Sequence, residues 1–285
     1  MADDTIDGPD RPEPAAAPEA DSRLDVALAA RGLARSRSHA TTLVADGLVT
    51  VDGRAAVRPS AKVRAEQVIV VAGADHYVSR GAHKLVAALD AFGVPVAGRT
   101  ALDVGASTGG FTQVLLERGA AEVIAIDVGH GQLAPVLADE PRLHSFEGIN
   151  ARALTAHALA GLTGSSVRPD LVVGDLSFIS LTQVLPALVE TAEAGADFVL
   201  LVKPQFEVGR TGIKEGIVRD PVLRTEAVTS VLWAAFDLGV GTAGVISSPI
   251  AGSQGNHEYL VWLNAKTGTN PTEWLSQVET ITLRA

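Results

Sequence analysis

From residue 24 onward the apolar positions fall at helical spacing. Leu24, Ala27 and Leu28 share a face with Arg31, and Gly32 supplies a stop. Ser36 reads as the N-cap of a second helix that carries Ala40, Leu43 and Val44 inward and ends at Gly47. The period then shortens. Leu48–Val51 predicts a strand, Asp52-Gly53 a tight turn, and Val68–Val71 another strand. These elements make a small ααβ-type α+β module over residues 22–74.

Farther along, short apolar runs alternate with amphipathic stretches. Strands are predicted at Ala101–Val104, Val123–Asp127, Leu143–Glu147, Leu171–Gly174 and Phe198–Val202, with helices over 110–118, 132–138, 151–161, 181–192 and 221–238. This βαβα alternation predicts an α/β fold with a mostly parallel sheet and helices on both faces. Val245–Ile246 and Tyr259–Leu263 flank a loop with Pro249, Gly252, Gly255 and Asn256, and predict an antiparallel pair at the sheet edge. The expected organisation is an acidic disordered tail (1–21), the small module (22–74), a linker (75–78) and the α/β domain (79–285).

Charge changes this picture. The 285-residue chain carries a net −10, yet residues 22–84 alone are at +5, against −6 for 1–21 and −9 for 85–285. Phosphate binding follows local charge, so the basic module is a candidate nucleic-acid contact. The chain has no cysteine, which rules out disulfides and thiolate chemistry and fits a cytoplasmic setting. No secretion signal and no apolar run long enough to span a bilayer is recognisable.

Asp103-Val104-Gly105-Ala106-Ser107-Thr108-Gly109-Gly110-Phe111 places a glycine-rich turn between a strand and a helix. Glycines there let the backbone approach a ligand, and the helix N-terminus favours its negative groups. Ser107 stands where a dinucleotide fingerprint requires its second glycine, which disfavours a nicotinamide dehydrogenase. Asp127 closes the next strand, placed to accept from two ribose hydroxyls. Together these resemble the first two motifs of class I methyltransferases, which bind S-adenosylmethionine.

Four polar residues occupy positions where core would otherwise be expected. Asp175 ends one strand, Lys203 ends another, Glu258 opens a third, and Lys84 lies in Ser79–Leu85. Singly, each reads as a solvated strand end. In an open parallel sheet, however, the carboxyl ends of strands line the ligand crevice, and all four meeting there implies chemistry. No His/Asp cluster calls for a metal.

Those segments, with Asp127–Leu133, Asp175–Leu181, Lys203–Val208 and Gly255–Tyr259, resemble the TlyA family within the FtsJ-like 2′-O-methyltransferases. Members carry names both as hemolysins and as ribosomal RNA methyltransferases. The N-terminal module resembles the RNA-binding domain of ribosomal protein S-four. The resemblance implies a seven-stranded class I methyltransferase sheet and a Lys84-Asp175-Lys203-Glu258 catalytic set. It also implies a ribosomal RNA substrate within assembled subunits, with cytidine ribose the expected acceptor. In that set Lys203 would stabilise the attacking oxygen while Asp175 and Glu258 hold the lysines. For S-adenosylmethionine it implies contacts from Asp103, the turn Gly105–Phe111, Asp127, Val128, His130, Asn150 and Asp175. Phe178 and Phe206 either shape the substrate pocket or pack in the core. Residues 209–216 read as a loop over the site, less glycine-rich than the resemblance leads one to expect.

RNA contacts are expected from Arg23, Arg31, Arg35, Arg37, Arg58 and Arg64, with Arg54 and Lys62 adding to the basic surface. His39, His144 and His157 are isolated and read as surface or packing residues. A monomer or weak dimer is expected. Two competing readings are a membrane-active cytolysin, for which the chain offers no clear spanning element, and a catalytically silent RNA-binding protein, which the four intact polar residues oppose.

Overall fold

A computed structural model of the protein describes residues 21–34, 36–71, 76–209, 213, 215–252 and 255–283. Several expected features lie outside the described residues: the acidic tail short of Asp21, Arg35, Asp75 at the start of the linker, and residues 210–212 and 214 of the loop at 209–216. The chain divides into two compact units between His76 and Tyr77.

In the first unit β1 (Ser22–Arg23) leads into α1 (Leu24–Ala30) and α2 (Arg37–Ala45). Then come β2 (Val49–Val51), β3 (Arg54–Ala55), β4 (Lys62–Val63) and β5 (Ile69–Val71). The Ser36 side chain accepts from the His39 N–H at 3.2 Å, so α2 begins at the expected cap. Asp52 and Gly53 both take positive φ, 50° and 76°, which turns β2 back onto β3. Strand β5 pairs antiparallel on the other side of β2, while β1 and β4 form a separate two-stranded ladder. Leu24, Leu28, Ala40, Val44, Val49 and Val63 make its core.

The second unit opens with α3 (Gly81–Phe92), a helix that the sequence pattern above left unassigned. The alternation follows: β6 (Thr100–Val104), α4 (Gly110–Glu117), β7 (Glu122–Asp127), β8 (Leu143–Glu147), α5 (Ala156–Thr163), β9 (Leu171–Gly174), α6 (Leu181–Thr191) and β10 (Asp197–Val202). Then come α7 (Pro204–Glu207), α8 (Pro221–Asp237), β11 (Gly241–Ser247), β12 (Tyr259–Asn264) and α9 (Leu275–Leu283). The sheet order is β11-β12-β10-β9-β6-β7-β8, parallel except for β12, which runs antiparallel to both neighbours. The expected α/β architecture is thus the observed one.

Alternation along the strands builds two cores. Ala101, Val123, Leu171 and Val199 face α3 and α4, whereas Leu102, Ile124, Val172 and Leu200 face α5, α6, α8 and α9. Two helix expectations are corrected. Over 132–138 only a single 3₁₀ turn forms, at Pro135–Leu137. Proline disfavours helical geometry in the residue before it, and Ala134 is accordingly extended. The stretch 151–161 breaks into a 3₁₀ turn, Ala151–Ala153, and α5. Leu154 is extended between them, and Thr155 caps α5 by accepting from the Ala158 N–H at 3.1 Å.

Candidate active site

Parallel register brings the carboxyl ends of β6, β9 and β10 to one end of the sheet. Gly105, after β6, has φ 81°, and a Cβ there would lie 3.1 Å from the Asp175 carbonyl oxygen. Only glycine passes at that point. The turn continues through Ser107, whose N–H donates to Asp127 Oδ2 at 2.8 Å. Asp127 Oδ1 accepts from the Gly129 N–H at 2.7 Å, so one carboxylate ties the loops after β6 and β7 together and keeps lone pairs free. Gly109 has φ 91°, and a Cβ there would strike Leu137. Gly110 lets α4 approach Ser79 closely.

A cavity of about 540 Å³ opens beside this turn, within the usual range for small-molecule sites. Gly105, Ser107, Asp127, Val128, Asn150 and Asp175 are among its walls, as expected. Gln132, Ser177 and Phe178 also line it, without having been expected to bind cofactor. No Lys, Arg or His is among the described lining residues. Of the other cofactor candidates, Phe111 is buried in the core beneath α3, and His130 lies against Gly148 instead of the cavity wall. Ala106, Thr108, Gly109 and Gly110 shape the turn without lining the cavity.

Behind the turn Asp103 is fully buried. It accepts from the Thr112 hydroxyl at 2.6 Å, and its Oδ1 has no hydrogen-bond partner. Burial holds its carboxyl up to about 7, against the downward pull of the Thr112 bond and with the Asp175 and Asp127 charges adding to the rise. The role of Thr112 arises only when α4 folds back onto β6, so no local sequence pattern signals it.

The four polar candidates do meet. Register pairs Val202 with Tyr259, which sets Glu258 at the end of the sheet where Lys203 emerges. Lys84, on the first turns of α3, donates to Glu258 Oε2 at 2.5 Å and lies 4.0 Å from Asp175 Oδ2. Lys203 Nζ is 2.6 Å from Asp175 Oδ1 and donates to Ser177 Oγ at 2.9 Å. The two lysines and Glu258 are buried, and Asp175 bridges them at the cavity wall. The result is a chain of alternating charge, Lys203–Asp175–Lys84–Glu258. Glycine again makes room, since a Cβ on Gly252 would collide with Glu258 Oε1. Asn256, also buried, accepts from the Val218 N–H at 3.1 Å and donates to the Gly216 carbonyl at 2.8 Å, pinning the loop ahead of Glu258.

Next to this network Phe178 is 91% exposed, at φ 65°, with its ring 5.2 Å from that of Phe206. A left-handed phenylalanine is strained, and such strain concentrates at functional sites. Core packing is therefore not its role.

In the first unit the arginines divide by partner. Arg31 donates to the carbonyls of Gln67, Arg64 and Ala65, stapling the fold. Arg23 and Arg37 both bond buried Asp25, whose carboxyl the two guanidiniums hold well below the usual range, Arg23 most strongly. Both remain more than half exposed. Arg64 pairs with Glu66, and Arg58 lines an open groove with Arg54 and Lys62. Among the described residues no helix is long and apolar enough to cross a membrane.

Comparison with known proteins agrees with this geometry. The FtsJ-like methyltransferase model matches residues 77–265, and the S4 domain model matches residues 22–69. A Mycobacterium tuberculosis protein named 16S/23S rRNA (cytidine-2′-O)-methyltransferase TlyA is 52% identical over 249 residues, 86% of this chain and 91% of that protein. Hemolysin A of Brachyspira hyodysenteriae is 37% identical over 239 residues, 84% of this chain and 98% of that protein. A solved Streptococcus thermophilus structure with a provisional hemolysin name superposes at TM-score 0.72 with 35% identity, covering 93% of this chain and 95% of the other. With the sheet order and both domain matches in agreement, this chain belongs to the FtsJ-like methyltransferase family and, within it, groups with TlyA.

Proposed function

We propose that the protein transfers a methyl group from S-adenosylmethionine to a ribose 2′-oxygen of ribosomal RNA. The observation that carries this reading is the buried Lys203–Asp175–Lys84–Glu258 chain at the rim of the cavity. The cavity also fits the cofactor. S-adenosylmethionine carries a sulfonium, an ammonium and a carboxylate, a net positive charge. The described walls offer Asp127 and Asp175 and no cation, which suits that ligand and disfavours a pyrophosphate. Asp127 would hold the ribose, Asn150 would face the adenine, and the bare backbone at Gly105 would let the ligand pass close to the turn. When bound, the cofactor supplies an electrophilic methyl on sulfur.

The residues of the chain do the rest. A 2′-hydroxyl is a weak acid: negative charge grows on its oxygen as it takes the methyl, and its proton passes to solvent water at the cavity mouth. The role assigned to the Lys203 ammonium, itself buried, is to donate a hydrogen bond to that oxygen. Asp175 holds Lys203 and is itself held by Lys84, which Glu258 compensates. Positioning of hydroxyl and methyl within attack distance supplies much of the remaining acceleration. An exposed aromatic face at Phe178 offers a stacking surface for a nucleotide turned out of its helix. Arg23, Arg37 and Arg58 of the first unit would contact phosphates of a folded RNA. The name of the M. tuberculosis relative points to cytidine in small- and large-subunit RNA as the acceptor, and hence to a cytoplasmic site of action.

The test uses purified protein, cofactor with a labelled methyl, and ribosomal subunits. Transfer is expected with wild type and none with Lys203→Ala, whose cofactor binding should survive. Full activity of Lys203→Ala would sink the catalytic assignment. Liposome leakage without methyl transfer would favour the cytolysin instead.

A further inference from the structure

An ammonium has three N–H bonds, and its value to a reacting oxygen depends on where the free one points. At Lys203, Asp175 Oδ1 lies 2.6 Å from Nζ and is the charge partner of the ammonium. A hydrogen bond from Nζ to a neutral oxygen goes to Ser177 Oγ at 2.9 Å. Ser177 stands two residues beyond Asp175, is exposed, and lines the cofactor cavity. Among the described residues its hydroxyl caps no helix and bonds no main-chain group. Its visible business is with Lys203.

Resting on the methyl-transfer reading above, we propose that Ser177 is a positioning residue that aims the Lys203 ammonium. Its oxygen takes one N–H, Asp175 fixes the charge on a second side, and a remaining N–H is directed toward the acceptor hydroxyl at the cavity. A neutral oxygen suits this position. A second carboxylate there would compete with the acceptor for the ammonium, and a methyl group would leave Nζ free to rotate about its stem. Asp175 cannot replace Ser177, because its Oδ2 already faces Lys84 at 4.0 Å.

The experiment compares wild type, Ser177→Ala and Ser177→Thr in steady-state methylation of ribosomal subunits. Cofactor affinity is measured by calorimetry, and acetylation of Lys203 in the protein alone is followed by mass spectrometry. Loss of a hydrogen bond to a charged group should lower kcat of Ser177→Ala about 10- to 100-fold. The KM for RNA and the cofactor Kd should stay within about threefold, because the contact acts in the transition state. Ser177→Thr keeps the hydroxyl and should restore most of kcat. Lys203 should be acetylated faster in Ser177→Ala than in wild type.

Wild-type kcat in Ser177→Ala overturns the assignment, as does a threonine variant as poor as alanine. A loss that falls equally on cofactor affinity and thermal stability also overturns it, by making Ser177 a structural or cofactor contact. Wild-type protein that is inactive on subunits brings down the methyl-transfer reading and this proposal with it. An active wild type beside an equally active alanine variant removes Ser177 alone.

Discussion

Removing Glu258 tests the charge network through stability as well as activity. Lys84 Nζ is 2.5 Å from Glu258 Oε2, with side-chain exposures of 9% and 3%. Glu258→Ala therefore strands an ammonium that water barely reaches. The nearest remaining carboxylate is Asp175 Oδ2 at 4.0 Å, and Asp175 already holds Lys203 at 2.6 Å. Two cations would then share one anion. Breaking a buried pair on one side costs about 3–5 kcal/mol, whereas replacing both partners by apolar groups of similar size is close to neutral. Partial compensation by Asp175 places Glu258→Ala near the lower end, about 3 kcal/mol. Lys84→Met should cost about as much, because it strands Glu258 instead. The double variant Lys84→Met/Glu258→Leu should return to within about 1 kcal/mol of wild type, giving a large coupling in the cycle with Lys84→Met and Glu258→Leu as the singles. Urea unfolding followed by tryptophan fluorescence reads the relevant unit alone, since all three tryptophans, Trp233, Trp262 and Trp274, lie in it. Single variants costing under about 1 kcal/mol, or a double variant costing the sum of the singles, would refute the buried-pair reasoning.

Asp103, held up to about 7, binds a proton in the folded state that the unfolded chain has already released above its ordinary value of 3.8. That contribution makes folding less favourable as pH rises from about 4 to 7, so Asp103→Asn should match wild type near pH 4 and exceed it by roughly 2–4 kcal/mol at pH 8; equal stability at pH 8 contradicts this. Phe178→Gly should leave stability within about 1 kcal/mol, as relief of left-handed strain offsets the lost Phe206 contact. The same variant should raise the KM for RNA about tenfold through lost base stacking, and a stability loss with unchanged RNA kinetics would make Phe178 a packing residue. Gly252→Ala drives a Cβ into Glu258 Oε1 and should lower kcat at least about tenfold with cofactor affinity kept; wild-type kcat would show that the loop yields.

Strand ends carried most of the legible chemistry. Asp175 and Lys203 each follow an uninterrupted apolar run, so their position at the mouth of a parallel sheet can be read directly from the pattern. Ser36 was legible for the same local reason, as a cap before a helical face. Helix α3 keeps apolar spacing at Ala82, Leu85 and Leu89, but Arg80, His83 and Lys84 blur that pattern at its start. The expected helix over 132–138 overlooked the effect of Pro135 on its neighbour. Partnerships are a different matter. Lys84 and Glu258 are 174 residues apart, and no local rule announces that they touch. Arg31 looked like its basic neighbours until the fold gave it three backbone carbonyls. The need for glycine at Gly252 likewise appears only once Glu258 has turned inward.

The most direct test of the central claim is the chemical position of the transferred methyl. Ribosomal RNA treated with the protein and labelled cofactor would be digested to nucleosides and resolved by mass spectrometry. The account predicts label on the ribose of a 2′-O-methylated nucleoside, absent when Lys203→Ala replaces wild type. Label on a base, or a Lys203→Ala variant that still marks ribose, would contradict it.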